Sequence, residues 1–450
     1  MPVPETEPDF IEFGPPGVAT NEVTVTGLNP LTHLYYTENE VNDLFNLTIR
    51  FGIGTYEMPV LAHLDRYMKL IGTDKMSLKQ LSGNLQKLGA SYDFYASRDN
   101  FNIRITGLDM HLDKILKLVA DLVYNPKPDD SKIKNLVEDA KAREKMEQED
   151  HETIGSALYN YAVYGDRSPF INRLPVKEVQ ELKSDTLLNA LHKVVRYEAD
   201  IHYSGTIGLT DLEEILRSGL MLDNITIKSN SPVRYEFKEY DSPVVFFLDD
   251  KKAIQSKNYF FLPGSPVREE DKPYLNGYAE YLDGGMQSII FQEIREFRSL
   301  AYSSGAYISR PFYPDEKTSL TAYVGTQADK TREAIEVMQG IINTPPEKSD
   351  RIEMVRKSLI QSINSDKPGF RSISESAAYY YKKNYTTDPR QQWVEIYKKM
   401  SFDDIVNFYK NQFYKKPGIT TIIGDKSIIG TDWMNSFGKI IEVSKKDIFR

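Results

Sequence analysis

The sequence repeats itself at long range. Asn100 to Val123, NFNIRITGLDMHLDKILKLVADLV, reads as an alternating strand, a turn at Gly107 and an amphipathic helix. Ser319 to Ile342, SLTAYVGTQADKTREAIEVMQGII, follows the same order with Gly325 at the turn. Upstream, each copy carries a helix, a Gly-containing break, a second helix and a strand. Downstream, each has a long charged helix, around Ser131 to Gln148 and Lys348 to Asn364, and ends on a strand-like run, Asp200 to Gly208 and Gly418 to Lys426. A duplication of this kind predicts two α+β units of about 200 residues, each with its own core. The joint falls in the polar stretch Ile227 to Pro243, which gives a first domain over 21–230 and a second over 231–450. Residues 1–20 are Pro- and acid-rich and read as a linker, so the chain is expected to belong to something longer.

Strands such as FNIRIT and SLTAYV alternate apolar and polar residues, which predicts in each unit an antiparallel sheet with one face covered by helices. Ser77 before LKQL and Ser401 before FDDIVNFY are expected helix caps. The tyrosine-rich run Ala377 to Tyr385 has helical spacing and reads as packing. No run approaches the ~18 consecutive apolar residues of a membrane span.

Composition narrows the chemistry. The chain of 450 residues has no cysteine, which excludes thiol nucleophiles, disulfide scaffolds and Cys-ligated metals. A formal charge of -9 argues against a general nucleic-acid binder, which needs excess Lys and Arg to neutralise phosphates. The six histidines, His33, His63, His111, His151, His192 and His202, all lie in the first unit, and no two are three or four residues apart. No single helix therefore offers a two-His metal face. Neither GxxxxGK[ST] nor GxGxxG is present, nor is the GxSxG elbow, and Gly52, Gly54, Gly284 and Gly285 read as turn positions.

One segment stands apart, Asp283 to Ser309. Met286 to Arg298 has helical spacing, with Ile290, Phe291, Ile294 and Phe297 expected inward, and then Leu300 to Gly305 passes into a strand of small residues. Small side chains on a strand let another backbone come close. An Arg at the helix end and Tyr302 on the strand offer two donors to a carbonyl or oxyanion, the alternative being a salt-bridged Arg and a packed Tyr.

FQEIREFRSLAYSSGA in this segment closely resembles the second-domain signature of the pitrilysin/insulinase/mitochondrial-processing-peptidase family of zinc peptidases, the inverzincins. The resemblance implies a clamshell of two halves, each made of two duplicated α+β domains of the processing-peptidase-like metallohydrolase fold. Active halves carry HxxEH, with a Glu about 75 residues later as third zinc ligand and the motif Glu activating water. Here the matching helix is LAHLDRYMKLIGT, Leu61 to Thr73. Ala62, His63, Leu64, Met68 and Gly72-Thr73 fit the family frame, but Arg66 stands at the position of the catalytic Glu and Tyr67 at that of the second His. Glu144 sits near the position of the third ligand. The chain thus resembles a zinc-free half, binding no metal itself, with zinc expected in the partner.

By the same resemblance, the zinc-free half contributes a substrate-positioning Arg and Tyr seven residues apart. These are Arg295 and Tyr302, with Arg298 as the alternative one helical turn on. The expected partners are an active, HxxEH-bearing half, in the same longer chain or a separate subunit, and a peptide substrate. The rival expectation is a non-catalytic structural or interaction subunit of a larger assembly.

Overall fold

The computed structural model describes residues 7–450, except for the side chain of Tyr302. Two six-stranded sheets account for its strands. The first contains β1 (Thr24–Asn29), β2 (Thr32–Glu38), β3 (Leu44–Phe51), β4 (Ser91–Ala96), β5 (Phe101–Leu108) and β6 (Ala199–Gly205). The second contains β7 (Val244–Asp249), β8 (Gln255–Pro266), β9 (Ala301–Ile308), β10 (Lys317–Gln327), β11 (Ile419–Gly424) and β12 (Lys439–Glu442).

The strand orders, β1-β2-β6-β3-β5-β4 and β12-β7-β11-β8-β10-β9, match position for position. Only the outermost strand differs in origin: β1 precedes β2 in the chain and pairs antiparallel with it, whereas β12 arrives from the C-terminal end and pairs parallel with β7. Most neighbours are antiparallel, as the alternation predicts. The exceptions include β2 with β6 and β7 with β11, which are parallel and make both sheets mixed. Long helical excursions separate these partners, so no tight hairpin dictates an antiparallel return.

The first unit's helices include α1 (Leu61–Tyr67), α2 (Leu78–Lys87), α3 (Leu112–Tyr124), α4 (Ile133–Glu149) and α5 (His151–Tyr164). Ser77 caps α2 in a capping box with Gln80, and Ser401 forms the same box with Asp404. Leu47, Ile49, Ile103, Ile105 and Ile201 turn one face of the first sheet toward Leu64, Leu112, Ile115, Leu116 and Val119 of its own helices. Val245, Phe247, Leu262, Leu320 and Val324 do the same in the second unit, against Tyr278, Ile335, Met338 and Phe408.

The opposite faces are covered as well, and by exchange. From α5, Ile154, Ala157, Leu158, Ala162 and Val163 pack on Val244, Phe246, Leu248, Phe261, Ile419 and Ile423 of the second sheet. The Ile373–Lys382 helix of the second unit packs Ile373, Ala377 and Ala378 near Val23, Val25 and Tyr35 of the first. Each unit therefore lends one helix to the other's sheet. The tyrosine-rich run belongs to this packing, with Tyr380, Tyr381 and Tyr385 set against the same cluster. In the N-terminal segment, Ile11 and Phe13 are buried there too, and the Ile11 amide donates to Asp388 at 3.0 Å.

Candidate functional site

The α1 helix is short, and its buried side is Leu61, His63, Leu64 and Tyr67. The chain beyond it closes tightly. A Cβ at Gly72 would overlap the Met76 carbonyl and the Leu78 amide, and Thr73 Oγ1 accepts from the amides of Lys75 and Met76 at 3.2 and 3.1 Å. The family-like frame of this helix is thus maintained by packing and turn bonding.

Tyr67 has become structural: its side chain is fully buried and its hydroxyl accepts from the Asp129 amide at 2.8 Å. His63 is 4% exposed, its Nδ1 has no hydrogen-bond partner among the described residues, and burial with the guanidinium groups of Arg143 and Arg66 lowers its pKa to about 4. From α4, Glu144 lines the same pocket as His63, but so do Arg143, Arg173 and Arg450. Among the described residues no group of three His, Asp or Glu side chains is placed to hold a metal ion. A divalent cation would have one imidazole and one carboxylate in a cluster of guanidinium charges, so the residues present do not fit zinc.

The second candidate region sits at the start of the edge strand β9. Phe291–Glu296 forms a wide π-helical turn, in which the Phe297 amide bonds the Gln292 carbonyl at 2.9 Å. Its extra residue per turn breaks the expected helical phase. Ile290 and Ile294 are buried as expected and Phe291 is half-buried, but Phe297 is 61% exposed, where the simple helical spacing put it inward. Ser299, at φ 48°, then reverses the chain into β9. Arg295 lies over the Phe291 ring at 4.5 Å, and Arg298 donates to the Glu293 carboxylate at 2.5 Å and to its carbonyl at 2.8 Å. Arg298 is therefore committed to its own turn. Tyr302 is the second residue of β9, and its side chain lies outside the described residues.

Sequence reasoning missed Asp283. It closes the helix Lys272–Asp283 and accepts the Ala306 amide of β9 at 2.7 Å, and burial raises its pKa to about 6. It lines a pocket of about 520 Å³ with Asn276, Arg310, Arg390 and Trp393. The cluster of Arg143, Arg173 and Arg450 beside His63 was missed for a similar reason. Residues so far apart in the chain leave no local spacing to read.

Two family models match the chain. One, the insulinase family (peptidase family M16), covers residues 54–167, and the other, the peptidase M16 inactive domain, covers 207–344. An uncharacterized zinc protease of Rickettsia felis is 24% identical over 415 residues, which span 89% of this chain and 97% of the relative. The uncharacterized zinc protease YmxG of Bacillus subtilis is 23% identical over 322 residues, 69% of this chain and 76% of YmxG. Among solved structures, a peptidase M16 inactive domain from Pseudomonas fluorescens aligns at a TM-score of 0.70 and 14% identity, covering 90% of this chain and 98% of that one. The periplasmic protease PqqL of Escherichia coli aligns at 0.70 and 14% identity over 92% of this chain but 47% of PqqL. The ferredoxin protease FusC, in complex with Arabidopsis ferredoxin, aligns at 0.72 and 11% identity over 94% of this chain and 47% of FusC. With one M16 model matching residues 54–167 and another matching 207–344, the chain belongs to the M16 (insulinase) family of peptidases.

Proposed function

We propose that this chain is the substrate-positioning half of a two-half zinc endopeptidase. The observation that carries the reading is the pairing of an α1 helix unfit for zinc with the retained Arg295 and Tyr302 segment at the start of an edge strand. PqqL and FusC, each about twice the span of the match, support a protein built from two such halves. Zinc and the water-activating Glu belong to the other half, in the same polypeptide or in a separate subunit.

Arg295 carries a permanent charge, and Tyr302 supplies a hydroxyl donor. Reaching across the closed clamshell, they bond the carbonyl region of the scissile peptide and stabilise the oxyanion that develops there, an effect worth roughly 10²–10³ in rate per donor. An extended peptide or an unfolded segment of a small protein is the substrate class that such a chamber takes. The ferredoxin held by FusC supports a protein substrate of that kind.

The test combines this chain with its HxxEH-bearing half and follows peptide hydrolysis. Arg295→Ala and Tyr302→Phe are expected to lower kcat while leaving association of the halves intact. Unchanged turnover in both variants sinks the proposed roles and leaves a structural subunit as the better reading.

A further inference from the structure

The α1–α4 pocket is unfit for a cation, but two residues lining it each have a buried polar atom without a hydrogen-bond partner among the described residues. His63 is 4% exposed, and neither its Nδ1 nor Arg143 Nη2 has a hydrogen-bond partner among the described residues. Buried polar groups in folded proteins are nearly always satisfied, and each orphan costs about 1–3 kcal/mol. Both residues line one pocket of about 40 Å³, together with Ala62, Glu144, Arg173 and Arg450. A water needs roughly 10–15 Å³, so there is room for a group larger than one water.

The carboxylates nearby are partly engaged. Glu147 accepts from Arg173 at 2.5 Å, and Glu178 lies 3.6 Å from Arg450. One oxygen of Asp65 takes the Ala96 amide at 3.1 Å while its Oδ1 is buried without a partner among the described residues, and one oxygen of Glu144 accepts from Gln148 at 3.3 Å. None of them forms an ion pair with Arg66 or Arg143 among the described residues, and the strongest charges acting on the His63 ring are those two guanidinium groups. An Arg fork matches the planar oxygens of a carboxylate or the oxygens of a phosphate, and a neutral imidazole adds one further donor.

We infer that the position vacated by the metal-binding set is an oxyanion site, in which Arg143, assisted by His63, binds a carboxylate or phosphate group. The same chemistry is carried by a free anion and by the C-terminal carboxylate of a peptide. The inference stands independently of Arg295 and Tyr302.

Binding is measured on the full chain by calorimetry and thermal shift, with inorganic phosphate and with a short peptide as its free acid and as its C-terminal amide, all at equal ionic strength set with sodium chloride. Saturable binding of phosphate, or of the acid but not the amide, supports the site and identifies the carrier. In Arg143→Gln the same Kd is expected to rise roughly 10- to 100-fold, the equivalent of one charge-assisted hydrogen bond. Arg143 is half-buried and forms no ion pair within 4 Å among the described residues, so circular dichroism and melting of that variant without ligand are expected to be undiminished. If neither phosphate nor the acid peptide binds beyond the salt control, or if Arg143→Gln binds as well as the parent, the pocket holds only water and the inference is overturned.

Discussion

Lys382, at the end of the exchanged helix of the second unit, lies 2.7 Å from the carboxylate of Asp200 on β6 of the first, and that carboxylate is 4% exposed. The second oxygen of Asp200 has no partner among the described residues, so the lysine is its principal compensation. Beside it, Arg50 of β3 meets Glu375 at 2.9 Å, and His202 Nδ1 lies 3.1 Å from the Ser374 hydroxyl. The outer face of the first sheet thus meets its borrowed helix partly through charge, whereas α5 meets the second sheet mainly through apolar side chains, with Glu152 pairing with Lys257 of β8 and the Tyr159 hydroxyl bonded to Thr321 of β10.

Removing the lysine leaves a buried carboxylate without its cation. Lys382→Met is expected to lower unfolding stability by about 3 kcal/mol, the low end for breaking a buried pair because the lysine is partly exposed. Urea titration measures it. A change below about 0.5 kcal/mol would class the pair with ordinary surface ion pairs.

Reciprocal helix exchange couples the two units. Protease cleavage within 227–243, the polar joint, is expected to leave two fragments that co-elute on gel filtration and melt in one transition, because separating them would bare both α5 and the Ile373–Lys382 helix. Two independently melting fragments would show that the exchanged helices contribute little.

Stability should depend on pH between about 4 and 6.5. His63 and His202 have folded pKa values of about 4 against 6.5 when unfolded, both through burial first. In that window the unfolded chain binds more protons, so each histidine contributes stability that is complete above 6.5 and is lost as pH falls toward 4, of the order of 3 kcal/mol each. Asp283 acts oppositely: its folded pKa of about 6 lies above the unfolded 3.8, so its contribution is present below 3.8 and is lost as pH rises through 6. Urea midpoints across the window should therefore rise with pH less steeply in His63→Gln and more steeply in Asp283→Asn. Parallel profiles for the three proteins would contradict these assignments.

Gly54 reads as a turn residue, but its backbone φ is not in the positive region. It is required by close approach, since a Cβ would overlap the Arg98 carbonyl and the Asp99 amide. Both obstacles are backbone, which cannot rotate aside. Gly54→Ala is expected to cost about 1–3 kcal/mol in chemical denaturation, the usual range for overpacking, and an unchanged midpoint would show that the loop yields freely.

Much of this molecule is written in local pattern. Period-two alternation marks FNIRIT and SLTAYV as strands, the 3.6-residue spacing of Leu112 to Leu122 marks α3, and Ser77 and Ser401 begin helices because a hydroxyl beside free amides is favourable wherever it occurs. The duplication and the loss of Glu and His from the α1 motif are also visible without coordinates. They depend on residue identity and order alone.

Other features required the folded chain. Phe297 turns outward because a π-helical turn changes the phase after Ile294, and ordinary helical spacing does not register a single wide turn. The parallel pairing of β2 with β6, the exchange of α5 for the Ile373–Lys382 helix, and the gathering of Arg143, Arg173 and Arg450 around His63 join residues far apart in the chain. Burial and field at a side chain are set by whatever the fold brings beside it. The sequence by itself determined that this is a duplicated chain with Arg66 and Tyr67 in its α1 motif, and only tertiary structure decided that Arg143, Arg173 and Arg450 gather with His63 around one pocket.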